Sequence, residues 1–259
     1  MRVLVACEIS GRVRDEFLRL DHDATSCDLE PSLTPGPHIT GRVEDVLNDD
    51  WDLVVAFPPC TYLSNANAPC IAGKCPHEAH DAEWRQWRHI ETINAALLFH
   101  ACRNAGRMSA VENPRPNTIA TPLLGRHSAV TQPFWFGDPW LKFTCWWLRG
   151  LTPLQPTKLV APTHRIVNSG RRRTQKQTES LLGPQPLPRT NSLPGLHRDP
   201  GLRSMTPLGL ADAIADQWSR PNPTLFGSTL GHGVAVFNSY LMLVEGGYDF
   251  VASGLAFLA

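Results

Sequence analysis

Two apolar runs stop at proline. Residues 52–57 (DLVVAF) run straight into Pro58-Pro59, and residues 108–112 (MSAVE) into Asn113-Pro114. An uninterrupted apolar run of this length, without polar alternation, has both faces covered, as strands of a parallel sheet have. Proline cannot donate to a strand ladder, so each strand ends at or beside it. Parallel strands require crossovers, and the intervening chain supplies one: residues 83–105 carry a helical apolar period through Trp84, Trp87, Ile90, Ala95 and Leu98. The constraint is therefore an α/β fold with a mostly parallel, doubly wound sheet.

The N-terminal segment fits the same plan. Residues 2–7 (RVLVAC) read as a strand, Glu8-Ile9-Ser10-Gly11 as a turn, and residues 12–20 as a helix with Val13, Phe17 and Leu20 on one face. Residues 24–28 form a second strand ending on Asp28. Strand, glycine turn, helix, strand, acid is the opening of a nucleotide-binding unit, although the full three-glycine fingerprint is absent. Residues 129–135 and 142–148 read as further strands joined by Gly137-Asp138-Pro139. A helix is expected over 206–218, with Thr206 as N-cap and Pro207 in its first position.

Charge divides the chain. Residues 1–148 hold 13 Lys and Arg against 18 Asp and Glu, whereas 149–220 hold 11 against 4. Residues 150–204 are rich in Pro, Gly, Thr and Arg and almost without periodicity. Arg171-Arg172-Arg173 with Lys176 is either a phosphate-contacting patch or a solvated basic loop. The plan is thus a catalytic and cofactor-binding domain over 1–149, a small basic lobe over 150–204, a helix returning over 205–220, and a tail over 221–259. That tail reads either as a hairpin or as an appended, poorly ordered segment. No apolar run is long enough to span a membrane, and MRVLVACEIS reads as a strand rather than a signal peptide. Seven cysteines without a signal peptide point to reduced thiols and a cytoplasmic setting. Cys7, Cys27, Cys102 and Cys145 read as buried packing residues, as do the Trp146-Trp147 and Trp84/Trp87 pairs. Cys70, Cys75, His77 and His80 could hold zinc, but their spacing matches no common finger, and no metal is expected.

Ligands of open parallel sheets lie beyond the carboxyl ends of the strands. Cys60 and Glu112, each just past or at the end of an apolar run, can face the crevice that also holds Gly11 and Asp28. A thiol on stiff backbone with an acid beside it is a nucleophile with a proton-handling partner. A thiol hydrolase lacks a base, since no histidine is recognisably placed.

In this order the motifs resemble those of the C5-cytosine DNA methyltransferases, most closely the short phage-type members, over about residues 2–220. The resemblance implies a sheet of the S-adenosylmethionine-dependent methyltransferase type with a short irregular target-facing lobe. It also implies methyl transfer from S-adenosylmethionine to C5 of a cytosine flipped out of DNA. On that resemblance Cys60 is the nucleophile and Pro59 orients the base. Glu112 supplies a proton or hydrogen bond at N3, and Asn113 shapes its loop. Lys142 and Thr144 stand where the family has paired arginines. Cys7, Glu8, Ile9, Ser10 and Gly11 form the cofactor turn, with Pro58 beside it; Asp28 takes the ribose and Leu29 an adenine face. Arg42 stands where the family usually has an acid, leaving Asp45 to substitute. The departures leave two alternatives: a catalytically silent DNA- or cofactor-binding homologue, or a related enzyme with another donor or an RNA or nucleotide acceptor.

Overall fold

The computed structural model describes residues 1–71, 81–165 and 205–219. The chain divides into two compact units, Met1–Asn222 and Pro223–Ala259. The second lies outside the described residues, as do both readings of the tail and most of the basic lobe.

Nine strands are described: β1 (Arg2–Ala6), β2 (Asp23–Asp28), β3 (His38–Thr40), β4 (Leu53–Ala56), β5 (Met108–Pro114), β6 (Ala129–Thr131), β7 (Trp140–Leu141), β8 (Thr144–Arg149) and β9 (His164–Arg165). The helices are α1 (Arg12–Arg19), α2 (Ala68–Ile71), α3 (Ala82–Asn104), α4 (Ala120–Leu124) and α5 (Leu208–Trp218). Seven strands form one sheet in the order β3-β2-β1-β4-β5-β8-β6, and β7 pairs separately with β9. All neighbours from β3 to β5 are parallel, while β8 runs antiparallel to both β5 and β6. The result is a mixed α/β molecule with a mostly parallel sheet, and its strand order reverses direction between β1 and β4.

Strand alternation splits the core in two. Val3 and Val5 of β1 join Leu53, Val55 and Ala110 under α1 and α5, whereas Leu4 and Ala6 join Val54, Ala56 and Val111 under α3 and α4. Trp146 and Trp147 of β8 fall on opposite sides for the same reason, both essentially fully buried. At the far end of β8, the Arg149 guanidinium donates to the carbonyls of Arg103, Ala105 and Gly106 at 3.0, 2.7 and 2.8 Å. A cation there satisfies acceptors that the end of α3 leaves open.

Several expectations need correction. The buried seam of α3 is Arg88, Thr92, Ala96, Phe99 and Cys102, so Trp87 and Ile90 stay 46% and 42% exposed. Trp87 meets the edge of Tyr62, at 5.9 Å between centroids. β6 ends at Thr131 because Pro133 opens a 3₁₀ turn, Pro133–Trp135, in place of further strand. β8 begins at Thr144 rather than at Lys142. Cys70 is disulfide-bonded, its partner lying outside the described residues, while Cys7, Cys27, Cys60, Cys102 and Cys145 form no disulfide. Among the described residues no helix is long and apolar enough to cross a membrane.

α5 starts one residue later than expected: Pro207 occupies the N-cap position and supplies no side-chain bond. Its open N-terminus is closed instead by Asp138, which accepts from the Gly209 N–H at 3.0 Å. The Thr206 carbonyl meanwhile accepts from Arg12 of α1 at 2.8 Å. A Cβ at Gly209 would lie 1.8 Å from the Phe136 carbonyl oxygen, so only glycine allows the 136–138 turn to press against the helix. At its other end, Trp218 packs edge-on against Trp146, with 5.3 Å between ring centroids.

Gly209→Ala should therefore lower unfolding stability by about 1–3 kcal/mol, the usual cost of overpacking. Urea denaturation checks this, with Gly41→Ala as the control, since a Cβ at Gly41 meets nothing within 4 Å. Equal stability of the two variants would mean that the turn yields freely.

Candidate active site

The turn after β1 lies where the strand order reverses, the position that open α/β sheets use for ligands. Cys7 adopts a left-handed φ of 56°, and its N–H donates to Cys27 of β2 at 2.8 Å. Gly11, at φ 73°, is the N-cap of α1. The Glu8 side chain turns inward: its carboxylate accepts from the Ser10 hydroxyl and, at 3.0 Å, from the Gly11 N–H. Burial pushes this carboxyl up, and the two hydrogen bonds pull it back. Glu8 thus braces the turn from within instead of presenting a carboxylate outward. The Ile9 carbonyl accepts from Leu33 at 2.7 Å, which lays the β2–β3 connection across the turn.

That connection is itself anchored on Arg14, fully buried in α1. Its guanidinium pairs with Asp15 at 2.7 Å and donates to the hydroxyls of Ser26, Ser32 and Thr34 at 3.2, 3.1 and 2.7 Å. Asp28 ends β2, with one carboxylate oxygen accepting from the Glu30 N–H at 3.1 Å. Leu29 beside it is 69% exposed, an apolar surface next to the turn. Asp45 is exposed in a short 3₁₀ turn, and Arg42 is paired with Glu44 at 2.8 Å.

Just past the end of β4, the Phe57 N–H still donates to the Ala6 carbonyl at 2.9 Å. Pro58 is buried and Pro59 exposed. The Cys60 carbonyl then accepts from both Leu63 and Ser64, at 3.1 and 2.9 Å, closing a tight turn that holds the half-buried thiol in place. Burial pushes the Cys60 thiol up, and the neighbouring Glu112 carboxylate pushes it further. Lys142 and a hydrogen bond from Ser64 act the other way.

Glu112 stands opposite Trp146 in the β5–β8 pairing. Burial raises its carboxyl, opposed by the Lys142 ammonium and by a hydrogen bond from Thr144. Glu112, Lys142 and Thr144 form the polar edge of a small pocket. Phe57, Trp146 and Pro133 make its apolar wall, completed by Pro207 and Leu210 of the C-terminal helix segment. Asn113 is fully buried and faces the opposite side of the sheet from Glu112; it donates to the Pro114 carbonyl.

Of the residues marked by the sequence, Cys60, Glu112, Lys142 and Thr144 converge. Cys7, Ile9, Ser10, Gly11 and Asp28 gather one strand away, and Asp45 stands apart on the β3–β4 connection. Leu210 carries no motif and sequence reading passed over it; Trp146 read only as a packing residue and Asp138 only as part of a turn, not as contributors to the site. Asn117 was also passed over, although an Asn ahead of a short helical run is a capping signal. Cys75, His77, His80 and the Arg171–Arg173 cluster lie outside the described residues. Among the described ones no three metal-ligating side chains gather.

The charge arrangement predicts opposite effects on the Cys60 thiol. Glu112→Gln should speed its alkylation by iodoacetamide near neutral pH, by removing a like charge. Lys142→Met should slow it, by removing the cation that favours the thiolate. The peptide bearing Cys60, followed by mass spectrometry across pH, reports both. Shifts in the same direction would mean that these groups do not share one field.

No protein-family model matches the chain, and no curated protein matches it either.

Proposed function

We propose that the protein transfers a methyl group from S-adenosylmethionine to C5 of cytosine in DNA, through a covalent adduct on Cys60. One observation carries the reading. A thiol and a carboxyl 52 positions apart in the chain share an electrostatic neighbourhood at the ends of adjacent parallel strands, with Lys142 beside them. The motif order that resembles the C5-cytosine methyltransferases supports the choice of reaction.

The residues that gather one strand away fit a nucleoside cofactor. Asp28 offers a carboxylate at a strand end for ribose hydroxyls, exposed Leu29 an apolar face, and the Cys7–Gly11 turn a backbone that a ligand can approach closely. S-adenosylmethionine, when bound, supplies an electrophilic methyl group. The remaining work falls to the chain. The Cys60 thiolate adds to C6 of the pyrimidine, which moves electron density towards C5; once C5 carries the methyl group, loss of the C5 proton breaks the C6–S bond, restores the ring and frees the thiolate. Glu112, whose burial favours the protonated form, donates to N3 and meets the charge that grows on the ring. Lys142 offsets negative charge on thiolate and carboxylate alike. Phe57, Trp146 and Leu210 exclude water from one side of the ring. A base in a duplex must leave the stack to reach such a pocket, and the basic segment 149–220 is the candidate grip on phosphates. Within that segment Arg149 is held by the α3 carbonyls and is not part of the grip.

The test is direct. Protein is incubated with S-adenosylmethionine and unmodified DNA, and the digested nucleosides are weighed. The expected product is 5-methylcytosine, absent with Cys60→Ala and slowed about 10²–10⁴-fold by Glu112→Gln, the usual span for a general acid. A different added mass on cytosine would change the donor. DNA or cofactor binding without any modified nucleoside would favour the silent homologue.

A further inference from the structure

The loop carrying Cys60 and the strand end carrying Glu112 do not merely lie side by side. Beyond Cys60 and beyond Glu112 the chain forms a short antiparallel seam. Ser64 bridges Pro116, the Asn65 N–H donates to the Arg115 carbonyl at 2.7 Å, and the Asn117 N–H donates to the Leu63 carbonyl at 2.9 Å. Asn117 is 1% exposed and every polar atom of its side chain is used. Its Nδ2 donates to the Tyr62 carbonyl at 2.7 Å and to that of Ser64 at 3.5 Å. Its Oδ1 accepts from the N–H groups of Ile119 and Ala120, at 3.0 and 2.8 Å, at the start of α4.

The amide therefore does two separable things. The oxygen caps a helix that packs under the sheet, and the nitrogen grips the Cys60 loop. Ser64 completes the link, because its N–H returns to the Cys60 carbonyl and its hydroxyl donates to the Cys60 sulfur. We infer that Asn117 is a positioning residue: its amide nitrogen clamps the Cys60 loop to the segment following Glu112 and thereby sets thiol and carboxyl within each other's reach. The inference deepens the proposed reaction and rests on that reading for its purpose, but its physical content is the geometry of two loops.

Two variants separate the halves. Asn117→Asp keeps an oxygen for the Ile119 and Ala120 N–H groups and replaces the donor with an acceptor facing two carbonyls. Asn117→Ser keeps a neutral capping oxygen on a side chain too short to reach Tyr62. Both should fold, as read by circular dichroism and thermal melting. The readout is the pH profile of Cys60 alkylation with iodoacetamide, taken with and without Glu112→Gln. The groups that face the thiol are Glu112, Lys142 and the Ser64 hydroxyl. In the parent protein Glu112→Gln should raise the rate near neutral pH by about threefold or more, the effect of removing a nearby like charge. In either folded Asn117 variant that response should fall to within experimental error, because the loops have moved apart. A full-sized response retained in a folded Asn117→Asp or Asn117→Ser protein overturns the inference. The result does not depend on turnover: a protein that makes no 5-methylcytosine yet shows this loss of coupling overturns the proposed reaction and leaves the clamp standing.

Discussion

One row of parallel pairing sets the geometry of the site: Ala6 opposite Ala56, and Ala56 opposite Val111. These three residues are fully buried and belong to one core, which fixes the register from the apolar side. Just beyond them lie the Cys7 turn, the Cys60 loop and Glu112, which is still in β5 but past its last pairing with β4. Strand side chains alternate, so a slip of one residue in β5 would send Glu112 into the α3 core and bring Asn113 to the pocket. Burying an ionisable carboxyl there without Thr144 and Lys142 would cost several kcal/mol. The hydrophobic pattern and the polar site therefore enforce the same register.

The second requirement is that the chain's last described helix close the pocket. Pro207 and Leu210 can line it only because α5 is held at both ends. Asp138 binds the Gly209 N–H at the start, and Trp218 packs on Trp146 at the end. Trp146 is fixed in turn by its indole N–H, which donates to the Thr131 hydroxyl at 2.8 Å, and it meets Phe57 edge-on at 6.0 Å. An aromatic chain thus runs from the C-terminal helix through the reversed strand to the residue that precedes Pro58-Pro59-Cys60. Losses in this chain fall on pocket shape as well as on stability, since the pocket wall is the outer surface of the core itself.

What could be read from the sequence follows from the range of the forces involved. The strands β1, β2, β4 and β5 and the α1 helix are local patterns, and they appear within one or two residues of where periodicity and proline place them. Cys60 and Glu112 were recognisable because strand ends and proline stops are local too. Arg14 was not, since its partners belong to a loop some 20 positions away and a charged residue on a short helix reads as solvated. Asp138 capping a helix 71 residues onward, and Asn117 gripping Tyr62, are hydrogen bonds that no window can contain. The α3 error has the opposite origin. Its aromatic residues imitate a core stripe, but the buried seam runs through Arg88, Thr92, Ala96, Phe99 and Cys102, and burial depends on what lies opposite.

The chemistry of the Cys60 and Glu112 pair turns on charge. Burial favours the protonated form of each, the Glu112 carboxylate adds to this at Cys60, and Lys142 opposes both shifts. On the proposed reaction, a thiolate at Cys60 with a proton on Glu112 presents a nucleophile beside a donor. Removing Glu112's charge alone would favour the thiolate but leave nothing acidic to meet charge on a ring nitrogen. On that reading the carboxyl is useful because it can carry a proton near the thiol, and the β4–β5 register brings the two to the ends of adjacent strands.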